Sequence, residues 1–119
     1  MDMLLPKYLA SVIKAQAVDV MMSTVEVVTP ELAVAYLYCN RNNRRIRERL
    51  VSHYAQEMRS GRWALNHQGI AFGRDGSLQD GQHRLHAIIE SGVDVTMLVT
   101  RGVPVTACGN DNITTMDTL

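Results

Sequence analysis

Two Asp-Gly pairs, Asp75-Gly76 and Asp80-Gly81, constrain the local structure of this chain more than any other feature. The first pair lies between two short apolar runs, 69–72 and 77–79, and an Asp-Gly pair in that setting is a strong hairpin signal. After the second pair, apolar residues recur at helical spacing until Gly92, and Asp80 is the type of residue that caps a helix. We therefore expect a hairpin that leads directly into a helix over residues 81–91.

Composition places the chain among ordinary globular proteins. It has 119 residues, of which 46% are hydrophobic, and it carries twelve basic and twelve acidic residues. This length suits one domain, and the neutral total gives no general bias towards nucleic acid or membrane.

The two cysteines and the N-terminal segment bear on localisation. Cys39 and Cys108 are far apart and have no metal-ligand spacing, which favours a reduced, cytoplasmic setting. Lys7 and Lys14 interrupt the apolar N-terminal stretch, so it lacks the roughly 20 consecutive apolar residues of a membrane helix. We expect it to form a docking helix and expect no membrane association.

Helices and strands are mixed along the rest of the chain. Residues 24–28 predict a strand, and Thr29-Pro30-Glu31 has the cap, first-turn proline and first-turn acid of a helix start. A second helix is predicted over residues 44–60, capped by Asn43 and closed by Gly61. With a further strand over 93–101, the fold class is α+β, with a small mixed sheet and packed helices in one compact domain.

Arginine is concentrated in one segment. Ten of the twelve basic residues are arginines, and five of them fall within nine positions: Arg41, Arg44, Arg45, Arg47 and Arg49. The planar guanidinium group donates two parallel hydrogen bonds to phosphate, so the segment is a candidate nucleic-acid contact through Arg41, Arg45 and Arg49. A solvated helix face is an equally good interpretation.

The junction from Asp80 to Arg84 has the chemistry of a ligand site. The first amides of a helix lack partners within the helix and lie at the positive end of its dipole, so they favour an anion. Gly81 lets a ligand approach the backbone, Arg84 can clamp phosphate oxygens, and His83 can donate to phosphate or move a proton near neutral pH. Asp80 either caps the helix, orients His83 or holds a divalent metal.

A metal site at this junction is a less favoured alternative. His83 and His86 are three residues apart and, with Asp80, could form a carboxylate-plus-two-histidine site. Histidine pairs of the metalloprotease type are usually four residues apart, however, and no third protein ligand is evident. We therefore assign no metal ligand. Neither a serine nor a cysteine lies in a pattern typical of a nucleophile.

Several short motifs occur in a consistent order. The positions are Asn40, Asn43 and Arg44; Met58, Gly61 and Trp63; Gly69, Ile70 and Phe72; Leu78 to Ile88 around Asp-Gly-Gln-His-Arg; and Val99, Arg101 and Gly102. This set resembles the ParB N-terminal domain/sulfiredoxin-like superfamily, and it is most similar to the short ParB-like proteins of bacteriophages and other mobile elements. The resemblance covers about residues 24–103. It divides the chain into an N-terminal extension, 1–23, a ParB/sulfiredoxin-like domain, 24–103, and a diverged or truncated tail, 104–119.

The resemblance implies a loop that handles nucleotide phosphates. By position, Gly81, Gln82, His83 and Arg84 would bind phosphate together with Asn43 and Arg44, and Asp80, His83 and Arg84 would be catalytic. A nucleoside triphosphate with Mg²⁺ is the implied ligand. Two departures limit this assignment: Gln82 stands where sulfiredoxins have a cysteine, which excludes peroxiredoxin repair, and residues 109–115 lack an arginine that phage relatives carry.

Three functions remain open at this point. The first is binding of a nucleotide or nucleic-acid phosphate through the Asp-Gly-Gln-His-Arg loop, in DNA processing or modification. The second is a metal-dependent ParB-like nuclease, and the third is a non-catalytic protein that acts on a host factor. The expected partners are a nucleotide or DNA, a second copy in a homodimer, or a host protein.

Overall fold

A four-stranded mixed sheet with helices packed on one face forms the part of the chain that the computed structural model describes, residues 5–41 and 45–105. The elements are α1 (Leu5–Ala15), β1 (Met22–Val28), α2 (Pro30–Leu37), α3 (Glu48–Arg59), β2 (Ile70–Gly73), β3 (Leu78–Asp80), α4 (Gln82–Ser91) and β4 (Val95–Val103). The strand order is β1-β4-β2-β3; β4 runs antiparallel to β1 and parallel to β2, and β2 runs antiparallel to β3. The α+β class and the mixed sheet are confirmed.

The core lies between the sheet and α4. Alternate residues of β4 are buried while Thr96 is exposed, as the period of two in a strand requires. On the other side, Leu85 and Ile88 of α4 are fully buried, and they meet Phe72 and Ile70 of β2 in one cluster. Because α4 also packs against α2 and α3, it is the central helix of the domain.

Most predicted helix boundaries are correct because local chemistry sets them. Thr29 Oγ1 accepts a hydrogen bond from the Leu32 N–H at 3.1 Å, and Pro30 is the first residue of α2. Gly92 ends α4 in a left-handed conformation with φ of 72°, and Gly61 follows α3 with φ of 77°. The first strand begins at Met22, two residues before its predicted start.

The predicted start of the second helix is wrong. Residues 45–47 are not helical, and α3 begins at Glu48. Arg47 has extended φ and ψ of −96° and 101°, and its N–H donates to His83 Nε2 at 3.0 Å. A tertiary hydrogen bond therefore holds this residue outside the helix. The predicted cap, Asn43, and the neighbouring Arg44 lie outside the described residues.

The hairpin between β2 and β3 forms at Asp75-Gly76 as predicted. The Gly73 N–H donates to Ser77 O at 2.8 Å, and Gly76 has φ of 85°, which glycine adopts without strain. Asp75 Oδ1 accepts hydrogen bonds from both the N–H and the hydroxyl of Ser77, and these bonds hold the pKa of the Asp75 carboxyl below its usual range. The strand after the turn is residues 78–80 rather than 77–79.

The described residues include one of the two cysteines, and they allow a test of the membrane prediction. Cys39 is a buried free thiol, and burial raises its pKa. Among the described residues, no helix is both long and apolar enough to cross a membrane. Cys108 lies outside those residues.

A polar cluster around Arg101 connects three elements and the turn that follows α1. The Arg101 guanidinium on β4 donates to both carboxylate oxygens of Glu26 on β1, at 2.6 and 3.2 Å. It also donates to Oε1 of Gln16, the residue that follows α1, at 2.7 Å. It also donates to the Tyr36 hydroxyl of α2 at 3.1 Å. Burial, followed by the charge of Glu26, raises the pKa of Tyr36.

The charge state of Glu26 follows from these contacts. Burial alone would raise the pKa of its carboxyl, but the hydrogen bonds from Arg101 and Thr24 outweigh burial and hold that pKa below its usual value of 4.5. The carboxylate is therefore more stable in the folded than in the unfolded chain. The contribution of the Glu26 carboxylate to folding stability is complete at pH values above the pKa of the unfolded chain. It is lost as the pH falls through the lower pKa of the folded chain.

We expect Glu26→Gln to lower the free energy of unfolding by about 2 kcal/mol at about pH 7, because it leaves the half-buried Arg101 without its counter-charge. The difference from wild type should shrink as the pH is lowered to about 3. Urea unfolding across this pH range measures both effects. Glu90→Gln, a matched change at an exposed side chain, should change stability little, and a pH-independent loss in Glu26→Gln would contradict the ion-pair explanation.

Candidate functional site

A cleft of about 110 Å³ opens where β3 passes into α4. The junction predicted from the sequence forms one wall, because every residue from Asp80 to Arg84 lines this cleft. The remaining lining residues come from the segment after α2, from α3 and from β3: Asn40, Leu50, Tyr54, Leu78 and Gln79. The structure thus brings the predicted loop together with α3 and with the segment after α2, both of which are distant in sequence.

The N-termini of α3 and α4 meet at this cleft. The Arg47 N–H, at the N-cap of α3, donates to His83 Nε2 in the first turn of α4 at 3.0 Å. At the opposite ends of the helices, Arg59 Nη1 approaches Glu90 O at 3.4 Å. The two helices therefore run parallel, and the positive ends of both dipoles lie on the same side of the domain.

The N-cap residue of each helix leaves the first-turn amides uncapped by its own side chain. The N-cap residues, Arg47 and Gly81, make no side-chain capping hydrogen bond, and the first turn of α4 contains no acidic residue. Glu48 in the first turn of α3 places one negative charge near the positive end of that helix dipole. The first-turn amides of α4 therefore remain suited to an anion.

A backbone hydrogen bond orients the ring of His83. Its Nε2 accepts the Arg47 N–H, so the proton of the neutral ring is on Nδ1. His86, one turn further along α4, is half-buried, and burial lowers its pKa. Within residues 5–41 and 45–105, no group of three or more His, Cys, Asp or Glu side chains is arranged to hold a metal ion.

The side chain of Arg84 stabilises the junction between β3 and α4 through hydrogen bonds to residues 68 and 69. Its Nη1 donates to Gly69 O at 2.9 Å and its Nη2 to Gln68 Oε1 at 3.1 Å, and its side chain is only 13% exposed. Asp80 Oδ1 lies 3.9 Å from the same Nη1. The guanidinium group thus ties the first turn of α4 to the segment before β2 and adds positive charge to the wall of the cleft.

Gly81 and Asp80 have roles other than those expected. Gly81 has φ of 105°, and a Cβ there would lie 2.9 Å from Gly69 O and 2.9 Å from Ile70 Cγ1, so the missing side chain lets α4 pack on β2. Asp80 ends β3 and is not the N-cap; its Oδ1 accepts the Gly81 N–H at 2.8 Å. Its side chain is 67% exposed, so a carboxylate stands at the edge of the cleft.

The arginine segment is exposed wherever the structure describes it. Arg41 Nη1 pairs with Asp75 Oδ2 at 3.2 Å, and both side chains are largely in solvent, where such a pair adds little stability. Arg45 and Arg49 are exposed on either side of Arg47 in sequence. Asn43 and Arg44, the other predicted phosphate contacts, lie outside the described residues.

Leu50 and Tyr54 were not predicted as site residues. Their spacing on α3 indicates only that they face inward, and both are half-buried. Tyr54 packs edge-on against Trp63, with ring centroids 5.1 Å apart, and also lines the cleft. Periodicity separates buried from exposed positions, but it does not show which buried helix face borders an opening.

We expect Arg84→Ala to destabilise the protein by about 2 kcal/mol in the absence of any ligand, because it removes a charge-assisted hydrogen bond and leaves Gly69 O without that donor. Arg49→Ala, an exposed control in the same region, should change stability by less than about 0.5 kcal/mol. Urea unfolding midpoints compare the two variants. Equal midpoints would show that the Gly69 contact does not hold the loop.

Alanine substitutions at two glycines separate backbone strain from crowding. Gly61→Ala adds a Cβ with no atom within 4 Å, so we expect a cost of about 1–2 kcal/mol from positive φ alone. Gly81→Ala adds the same strain and the clash with β2, and overpacking costs about 1–3 kcal/mol more. Thermal unfolding should therefore rank Gly81→Ala clearly below Gly61→Ala, and the reverse order would contradict the close packing of α4 on β2.

Comparison of the chain with protein-family models, with curated proteins and with solved structures gave no match. The chemistry of the site therefore has to be inferred from its geometry. That geometry consists of two parallel helices whose N-termini meet at a polar cleft and whose N-cap residues, Arg47 and Gly81, form no side-chain capping hydrogen bond.

Proposed function

We propose that this protein binds the phosphate groups of a nucleotide or nucleic acid in the cleft at the N-termini of α3 and α4. The observation that carries this proposal is the hydrogen bond from the Arg47 N–H to His83 Nε2, which holds the two positive helix ends together. Like partial charges repel, so this arrangement becomes more favourable when an anion occupies the cleft. Arg84 adds a positive charge on the same wall, which the Asp80 carboxylate, 3.9 Å from its Nη1, partly offsets.

The remaining lining residues favour a nucleotide over inorganic phosphate. Leu50 and Tyr54 supply apolar surface for a planar group, while Asn40, Gln79 and Gln82 supply amide donors and acceptors. The apolar residues would contact the base of a nucleotide, and the amide side chains would bind its polar groups.

The charge distribution favours a local phosphate site over broad DNA binding. The chain has no net charge, whereas strong non-specific DNA binding requires an extended basic surface. The exposed Arg45 and Arg49 next to the cleft are suited to a modest contact with a nucleic-acid backbone.

A nucleoside triphosphate would bring Mg²⁺ with it. Asp80 is the exposed carboxylate among the lining residues, and Mg²⁺ in such complexes is bound by one or two carboxylates together with phosphate oxygens. Asp80 would thus hold the ion, whose charge would offset the repulsion between the carboxylate and the phosphates.

This function agrees with the resemblance of the Asp-Gly-Gln-His-Arg loop to ParB-like phosphate loops. We propose accordingly that the protein is a ParB/sulfiredoxin-like member from a phage or mobile element, acting in DNA processing or modification. The loop lies at a strand-to-helix junction, and its residues line one cleft, which supports a phosphate-binding role.

Gln82→Glu tests the site with an isosteric change. A carboxylate in the first turn of α4 interacts well with the helix dipole, so we expect stability to be unchanged or to rise by about 0.3–1 kcal/mol. The same negative charge should repel phosphate and weaken nucleotide affinity by about tenfold or more, equal to about 1.4 kcal/mol. Titration calorimetry with ATP, CTP and GTP in the presence of Mg²⁺ measures the affinity, and thermal unfolding measures the stability.

Gln56→Glu is the matched control, since it makes the same change at an exposed position of α3 that does not line the cleft. It should bind nucleotide like wild type. Parallel titrations with inorganic phosphate and with short single- and double-stranded oligonucleotides identify the preferred source of the phosphate. An absence of binding to all these ligands, or equal affinity in Gln82→Glu and wild type, would overturn the proposal.

A further inference from the structure

The first strand forms an exposed apolar edge of the sheet. β1 pairs with β4 on one side, and no strand among the described residues pairs with its other side. Among the residues whose side chains the structure describes, half of the large exposed hydrophobic ones lie within residues 20–27: Val20, Met21, Met22, Val25 and Val27. Val28 is buried in the core, and successive side chains of a strand point to opposite faces. Val25 and Val27, at 59% and 57% exposure, therefore lie on the sheet face opposite the helices.

Several features that usually protect a sheet edge are missing from Met22–Val28 itself. Met22–Val28 contains no lysine, arginine or proline, and its register with β4 is unbroken over all seven pairs, without a bulge. Its one charged residue, Glu26, is held by Arg101 on the helical side of the sheet. An edge that is long, regular and apolar is a template for another strand.

We propose that β1 pairs antiparallel with β1 of a second copy of this chain, about a two-fold axis at Val25, to form one continuous sheet across a homodimer. Strand addition at a free edge satisfies main-chain donors and acceptors that water would otherwise bind. A two-fold axis through a residue keeps each face continuous, because every side chain meets one from the same face of the other copy.

The number of paired residues and the avoidance of opposed carboxylates select Val25 as the centre. In this register Val25 faces its own copy, Ser23 faces Val27, and Thr24 faces Glu26 of the second strand. All seven residues are paired, and a hydroxyl lies opposite each carboxylate. A register centred on Glu26 would instead place two carboxylates directly opposite each other, which is unfavourable.

The size of this contact sets the strength of the dimer. One added strand with its flanking side chains buries less than the roughly 1,200–2,000 Å² typical of stable complexes. We therefore expect a reversible, concentration-dependent equilibrium. The apolar patch of Val25 and Val27 continues onto half-buried Leu98 of β4, which pairs with Val25, so the face adds hydrophobic contact to the strand pairing.

Sedimentation velocity of the full chain over a wide concentration range tests this inference. Wild type should move from the mass of one chain towards the mass of two as its concentration rises. Val25→Lys and Val25→Glu each place like charges opposite each other at the axis, so each variant alone should associate at least tenfold more weakly. Leu65→Lys is the control, because Leu65 is exposed to 51% but lies outside β1, and it should associate like wild type.

Mixing the two Val25 variants provides the decisive measurement. Lysine and glutamate then meet at the axis, and association of the mixture should recover towards or beyond the wild-type level. This recovery depends on the copies pairing at Val25, and it also shows that neither substitution has unfolded the strand. A wild type that stays monomeric at all concentrations, single variants that associate like wild type, or a mixture without recovery would overturn the proposal.

Discussion

The packing of α4 between the sheet and the other helices is the constraint on which the rest of the structure depends. Leu85 and Ile88 place one face of α4 against β2, and the missing side chain of Gly81 lets its first turn approach that strand. Arg84 then ties this turn to Gly69 O. Since α3 is in contact with α4 along its length, the position of α4 also determines where the N-terminus of α3 lies and hence where the cleft opens.

Local sequence signals predict much of this fold. Thr29-Pro30 sets the start of α2, Asp75-Gly76 sets the hairpin, and Gly92 sets the end of α4, since each acts through its own backbone geometry or through neighbours two or three residues away. The start of α3 could not be predicted in this way. It depends on Arg47 and His83, which are distant in sequence, and a hydrogen bond between them appears only when the helices are packed.

The same distinction applies to the candidate site. Its junction wall could be predicted because polar residues crowd a strand-to-helix boundary, and these residues do line one cleft. The role of each residue could not be predicted, because an arginine that binds a ligand and an arginine that stabilises a loop look the same in the sequence. The cluster of Glu26, Tyr36 and Arg101 was missed for a related reason: its members are on three separate elements, and no spacing connects them.

The parallel alignment of α3 and α4 gives the domain a dipole moment that the net charge of the chain does not indicate. The total charge is zero, yet one end of the helix pair is positive and the other is negative. The attraction between an ion and a dipole falls off more steeply with distance than that between two ions. An anion therefore interacts with the helix dipoles only in the last stage of its approach. The exposed Arg45 and Arg49 beside the cleft act at longer range, and salt weakens their attraction.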